Sequence, residues 1–307
     1  MSFPGALRLF QIMPEGGELT EVTEAPDRTK FLGGSDIAGV LGLSRWKTPL
    51  SVWSEKTGQV VKKDEPKLYK TLGIRLEEVV AEMFMEETGK KLIRVKERRV
   101  HPKYPMFVAQ IDRLVIYEDA VWEGKTATLW LKKEWADEEI PQEYICQVMW
   151  QLAITGRKVG YISVLIGNEQ FLTKKIERDP IMIAEMLKRA NSFWQEFVIP
   201  KVMPMQITAS DADTLYALFP NAEPDTQIDL GDEGAKLIEV RNALHQDNIN
   251  LEKQIDQVEN ELKARLKDKE SGIAGKWRVF WKNQKRKGYT VEPKEFRMFN
   301  IREVKGT

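Results

Sequence analysis

The chain has 307 residues, 42% of them apolar, and its 47 Lys and Arg are matched by 47 Asp and Glu to a formal charge of zero. That length supports one large core or two modest ones, and no run of about 18 apolar residues offers a membrane span. The single cysteine, Cys146, excludes an internal disulfide and a multi-cysteine zinc or iron–sulfur site, and the opening MSFPGALRLFQIMPEGG lacks a basic-then-apolar leader pattern; both point to a reducing cytoplasm.

Residues 1–27 read as an irregular or strand-like lead-in. Ser35 to Leu41 is predicted as a short helix entered through Gly33-Gly34, with Ser35 as N-cap. Pro49 to Gly58 is predicted as a second helix with Gly58 as its stop, and Lys62 to Lys67 as a charged loop. From about Lys70 to Thr88, Leu76, Val79, Val80, Met83 and Phe84 recur at helical spacing until Gly89. Three strands follow, Glu97–His101, Met106–Tyr117 and Val121–Leu131, rich in β-branched and aromatic residues. Pro141 opens a helix that runs to Thr155 and closes at Gly156. Lys158–Ile166 and Gln170–Ile176 form a strand pair around Gly167-Asn168, and Pro180–Val198 is a long helix.

The remainder divides differently. The chain reads as a core over residues 1–208, an acidic, turn-rich linker over 209–232, and a C-terminal part over 233–307. In the helix from Glu233 to Lys269, Leu237, Leu244, Leu251 and Val258 are seven apart, with Ile255 and Leu262 between them. Arg241 and Asn248 interrupt the second seam, so the expectation is a helix folded back on its own domain rather than a long coiled coil. The tail interleaves Lys276, Arg278, Lys282, Lys285, Arg286, Lys287, Lys294, Arg297, Arg302 and Lys305 with Trp277, Phe280, Trp281, Tyr289, Phe296 and Phe299. Basic and aromatic residues mixed in this way suit a nucleic-acid surface, and equally a small sheet with a solvated face. With no net charge, any attraction for phosphate must come from such a local patch.

The informative stretch is Ala109-Gln110-Ile111-Asp112 followed by Trp122-Glu123-Gly124-Lys125. A turn near Glu118-Asp119 makes the two strands antiparallel neighbours, so Asp112 and Glu123 can converge on one cation. Glu123 and Lys125, two apart, share a strand face. Two carboxylates supply hard oxygen ligands for Mg²⁺, the metal activates a bound water, and the lysine orients that water or accepts its proton. These carboxylates interrupt apolar strands, where burial is costly unless a cation compensates. Glu77 lies at the border of the apolar helical stripe and could reach inward as a further ligand, or be a solvated glutamate. Tyr144, Gln147 and Gln151, at i, i+3 and i+7, share one helix face and read either as ligand-binding groups or as a polar edge.

Four motifs in this order resemble the YqaJ family of viral recombinases, relatives of lambda exonuclease. They are Arg28-Thr-Lys-Phe-Leu-Gly-Gly-Ser35-Asp36 with Leu41-Gly-Leu-Ser44, Gly73-Ile-Arg-Leu-Glu77, Asp112 with Glu123-Gly-Lys125, and Tyr144-x-x-Gln147. The resemblance covers about Arg28 to Lys201; the motif's proline is replaced by Ile111. It implies an α/β (α+β) PD-(D/E)xK restriction-endonuclease-like core, a central mixed sheet flanked by helices, with a C-terminal helical and small β extension. It implies Asp112, Glu123, Lys125 and Gln147 as catalytic residues and Asp112, Glu123, the Gly124 carbonyl and Glu77 as ligands of Mg²⁺, two ions per site, with Mn²⁺ able to substitute. Arg28, Ser35 and Tyr144 would meet DNA and its 5′-terminal phosphate, Arg28 by a charge-assisted fork and Ser35 at a helix N-terminus.

The implied activity is 5′→3′ digestion of linear double-stranded DNA from its ends, leaving 3′ single-stranded tails for phage-type recombination. The implied partners are double-stranded DNA ends and a single-strand annealing protein of the RecT/Bet-like kind, the implied assembly a homotrimer ring, and the implied setting the bacterial cytoplasm under phage or prophage genes. Two other readings stay open: an endonuclease with the same core, and a catalytically silent DNA-binding assembly protein.

Overall fold

A computed structural model describes residues 27–60, 68–136, 139–285 and 301. The expected lead-in over 1–26, the loop Lys62–Lys67 and the tail residues Arg286, Lys287, Tyr289, Lys294, Phe296, Arg297, Phe299, Arg302 and Lys305 lie outside the described residues. The chain separates into two compact units, Met1–Phe219 and Pro220–Thr307.

In the first unit the element order is α1 (Gly34–Val40), α2 (Pro49–Lys56), α3 (Leu68–Thr88), β1 (Leu92–Arg94), β2 (Arg99–Val100), β3 (Val108–Ala109), β4 (Arg113–Val115), β5 (Ala120–Ala127), α4 (Gln142–Thr155), β6 (Val159–Ile166), β7 (Gln170–Glu177), α5 (Pro180–Phe193) and α6 (Ala212–Leu218). The central sheet runs β1-β4-β5-β6-β7. Its β5–β6 pair is parallel and the other three pairs are antiparallel. A parallel pair needs a long crossover, and α4 supplies it. This mixed sheet flanked by helices, with the order α3-β1-β4-β5-α4-β6, has the α/β architecture that the resemblance implied.

Strand alternation divides the core. Trp122, Ala120 and Val115 meet Val80, Ala81 and Phe84 of α3 on one face. Val121, Ile162, Val164 and Ile166 join α1, α2, α4 and α5 on the other. Gly124 lies under the Trp122 indole: a Cβ there would stand 2.6 Å from the ring. The same indole donates to Ser163 Oγ at 3.0 Å.

Several boundaries differ from the sequence reading for local reasons. The N-cap of α1 is Gly33, not Ser35, because the Asp36 carboxylate reaches back to accept from the Gly33 N–H at 3.1 Å. The expected strand Met106–Tyr117 breaks at Gln110–Asp112, where the chain leaves β2 for β1 and β5. Glu97–His101 shrinks to Arg99–Val100, and the edge strand Leu92–Arg94 was not read from the sequence. The expected strand Val121–Leu131 stops at Ala127, where its ladder with β6 ends at Ile166. A 3₁₀ segment, Leu129–Trp135, follows and buries Trp135 against Tyr144.

The segment read as a linker from residue 209 begins with ordered structure. Asp211 is buried, accepts from the Thr208 N–H at 2.7 Å, and accepts from the Thr48 hydroxyl. With α6 it belongs to the first unit.

The second unit holds α7 (Gly231–Leu266) and a hairpin of β8 (Ser271–Ala274) and β9 (Trp277–Phe280). Within this unit the described residues leave the seam of α7 exposed: Leu237, Leu244, Leu251, Ile255, Val258 and Leu262. Among the described residues no helix is long and apolar enough to cross a membrane.

Phe84 is fully buried, with ring centroids 5.9 Å from Trp122 and 5.6 Å from Tyr161. Phe84→Ala leaves a cavity between α3 and the sheet and should cost about 3–5 kcal/mol, read as a lower urea midpoint.

Candidate active site

Glu123 is only 2% exposed although it is a carboxylate, so its position must be stabilised by donors. Three converge on it. Lys125 Nζ and Gln147 Nε2 each lie 2.5 Å from Oε1, and Gln151 Nε2 donates to Oε2 at 2.6 Å. The lysine comes from the same face of β5, two residues on, and both glutamines from one face of α4. Gln151, read from sequence only as part of a polar face, is therefore a direct partner of Glu123. It also donates to the Gln110 carbonyl at 3.3 Å, and its own Oε1 is buried with no hydrogen-bond partner among the described residues.

Asp112 sits at the break between β3 and β4, one step beyond the last register pair of β4 with β5, Arg113↔Trp122. Its Oδ2 accepts from the Gly124 N–H at 3.2 Å. Burial and the neighbouring Glu123 and Glu77 carboxylates push its pKa well above the usual aspartate range, against the pull of the Lys125 ammonium. Burial alone would lower the Lys125 pKa, but Glu123 and Asp112 outweigh it and hold the ammonium above its ordinary value. Lys125 Nζ also lies 5.4 Å from the centre of the Tyr144 ring, which stacks on Trp135 at 5.4 Å. Tyr144 thus forms the wall behind the lysine.

Glu77 is half-buried and held by Arg94 at 3.2 Å and by Arg113 at 3.6 Å, while Arg113 pairs with Glu78 at 2.6 Å. These two arginines were missed by sequence reasoning, since nothing in their spacing marks them as neighbours of α3. Among the described residues no three His, Cys, Asp or Glu side chains form a ready cation cluster. What the site offers is Asp112 and Glu123 with the Gly124 backbone, and Glu77 near enough to influence Asp112. These are hard oxygen donors around a carboxylate that its neighbours disfavour as an anion, a donor set that fits a divalent cation.

A second cluster forms beside it. Asp36 is fully buried between Lys47 Nζ at 2.5 Å and Lys56 Nζ at 2.8 Å. Burial works to raise its pKa, but the two ammonium groups prevail and lower it to about 2. Arg28 donates to Ser35 Oγ at 3.3 Å and pairs with Glu55 at 3.2 Å, and Glu55 also meets Lys47 at 3.2 Å. Three cations against two carboxylates leave one positive charge in the cluster. Lys47, Lys56 and Glu55 carried no signal in the sequence, because their role depends on α2 packing under α1. The cluster abuts the carboxylate site: a Cβ on Gly34 would lie 3.2 Å from Gln147 Cγ, so α1 rests on the glutamine that holds Glu123.

The model of the YqaJ-like viral recombinase domain matches residues 25–158. The YqaJ protein of Bacillus subtilis (strain 168) is 34% identical over 275 residues, covering 89% of this chain and 86% of the relative. The chain belongs to the YqaJ-like viral recombinase family. All of the motif residues from Arg28 to Gln147 fall within the matched region. The chain is also similar to an alkaline exonuclease, LHK-Exo, from Laribacter hongkongensis, at 22% identity and a TM-score of 0.49 over 57% of this chain and 91% of that one. It is similar to a phage related exonuclease from Haemophilus somnus 129PT, at 14% identity and a TM-score of 0.42 over 56% of this chain and 96% of that one.

Two outcomes follow from the electrostatics. A carboxyl whose folded pKa is lowered stabilises the fold above its unfolded pKa, and that stability is lost as pH falls through the folded value. Asp36 should therefore contribute on the order of 2 kcal/mol at neutral pH, lost between its ordinary 3.8 and about 2. The stability gap between the native chain and Asp36→Asn, followed by urea titration, should narrow across that window. Asp112 has the opposite sign: its raised pKa means stability present below the ordinary aspartate value and lost as pH rises through the raised one. Asp112→Asn should accordingly raise the Tm at pH 7 in chelator, and the gain should vanish in acid.

Proposed function

We propose that the chain is a metal-dependent deoxyribonuclease that digests linear duplex DNA from its 5′ ends and leaves 3′ single-stranded tails for single-strand annealing. The observation that carries this reading is the meeting of Glu123, Lys125 and Gln147 at one point, with the Asp112 carboxylate turned toward the same strand. Membership of a viral recombinase family supports the setting in recombination.

Asp112, Glu123 and the Gly124 carbonyl would hold Mg²⁺, two ions with the help of Glu77, and Mn²⁺ would substitute. A divalent ion bound there would supply an acidified water and positive charge for the phosphoryl oxygens. The rest is the work of side chains. Lys125, kept charged by Glu123 and Asp112, acts as a hydrogen-bond donor that orients the water and the scissile phosphate rather than as a base. Gln147 and Gln151 fix the Glu123 carboxylate so that it needs no reorganisation. Tyr144 and Trp135 limit where the lysine can point. Arg28 and Ser35 would receive the 5′-terminal phosphate; their hydrogen bond and the surplus positive charge of their cluster, which suits an anion, support this. A homotrimer ring enclosing the duplex would give processivity without net positive charge, and a RecT/Bet-like annealing protein would take up the exposed strand.

End-labelled linear duplexes with 5′-phosphate or 5′-hydroxyl ends, digested with and without Mg²⁺, test this. Nucleotides should appear only with the metal and faster from the phosphorylated end, and Arg28→Ala should erase that preference. Asp112→Ala and Lys125→Ala should each lose at least about 100-fold in rate. Supercoiled circles should survive; their cutting would identify an endonuclease instead. Native rates in both variants would remove the site assignment.

A further inference from the structure

The exposed seam of α7 has no role in the chemistry above. Leu237, Leu244, Leu251, Ile255, Val258 and Leu262 are 37–71% exposed along one stripe of a 36-residue helix. An apolar seam of that length, broken only at Arg241 and Asn248, marks an association surface. In heptad terms Leu237, Leu244, Leu251 and Val258 occupy d, while Arg241, Asn248, Ile255 and Leu262 occupy a. The positions flanking the seam carry Asp247, Glu252, Glu259 and Glu261, and the lysines Lys236, Lys253 and Lys263 lie on the outer face.

We propose that α7 pairs with the α7 of a second copy of this chain as an antiparallel two-stranded coiled coil. Residue complementarity selects this arrangement. A parallel pair in register would set Arg241 against itself and Asp247 against the partner's Glu252, with like charges facing twice. The antiparallel register that pairs a with d layers Leu237 on the partner's Leu262, Leu244 on the partner's Ile255, Asn248 on the partner's Leu251 and Arg241 on the partner's Val258. Each polar interruption then finds a complement. Arg241 lies beside the partner's Glu261, and Asn248 beside the partner's Gln254. Along the flanks Asp247 faces the partner's Gln254 and His245 faces the partner's Glu252, so no two like charges meet. The register is centred between Ile249 and Asn250, close to the middle of Gly231–Leu266, so the two helices overlap along nearly their whole length. Such a contact is two-fold symmetric and closes on itself.

Light scattering on the full-length chain gives the first test. Leu251→Asp places a charge in the central layers and should halve the native mass, whether the unit being paired is a single chain or a ring. Disulfide trapping then reads the register and works without relying on the aspartate variant's folding. Cys146 is buried and does not compete. Two differently tagged proteins, Leu244→Cys and Ile255→Cys, should cross-link to each other on mild oxidation. Leu244→Cys alone should give no covalent dimer. A native mass unchanged by Leu251→Asp, together with no mixed cross-link, overturns the proposal. So does a dominant Leu244→Cys self-dimer, which means parallel pairing, or a native chain that is a single copy and acquires a helix of a different protein.

Discussion

The Glu123 carboxylate is the constraint around which the first unit is arranged. A carboxylate this deep is tolerable only with several donors, and the donors come from two elements, Lys125 from β5 and Gln147 with Gln151 from α4. The same hydrogen bonds that neutralise Glu123 therefore fix α4 against the central strand at the point where the parallel β5–β6 crossover must pass. Through Gln147 the constraint reaches α1, where a Cβ on Gly34 would stand 3.2 Å from the glutamine's Cγ, and so reaches the Arg28–Asp36 cluster. Chemistry and architecture here are one set of contacts.

Asp112 is the counterweight. It interrupts what would otherwise be one long strand, and the interruption lets its carboxylate turn to the Gly124 N–H rather than remain in a ladder. Burial and the Glu123 and Glu77 carboxylates disfavour its charged form, and the Lys125 ammonium opposes them only in part. Active sites commonly store such destabilisation where a cofactor or substrate will relieve it. The neighbouring cluster is the reverse case: Asp36 is over-supplied with cations, its acidity is strengthened, and it acts as a structural anchor.

The two units use apolar residues in different ways. In the first, the apolar stripes of α3 and α4 are buried against the sheet and that of α5 against α1 and α4. In the second, a helix of comparable amphipathicity keeps its stripe exposed, and the hairpin beyond it leaves Trp277, Phe280 and Trp281 exposed as well. Lys276 and Lys282 lie over the rings of Trp277 and Phe280, at 5.2 Å and 5.1 Å, so the basic and aromatic alternation read in the tail is realised as cation–π pairs over the described part of it.

Helix periodicity was legible over α3, α4, α5 and α7, and Gly89 and Gly156 stop their helices with positive φ, because these are local properties of the backbone and of one amphipathic face. The motif residues were legible for a related reason: Glu123 and Lys125 share a face by the pleat alone, and Tyr144, Gln147 and Gln151 share one by the helical turn. What the amino-acid order left undetermined was every feature that depends on which distant segment becomes a neighbour. The break at Asp112 arises because the chain changes strand partners there. The bonds of Gln151 and Gln147 to Glu123 depend on how α4 crosses the sheet, and those of Lys47 and Lys56 to Asp36 on α2 lying under α1. Local propensity acts over a few residues and carries no information about these pairings; burial of the shared core selects them, and with them the site.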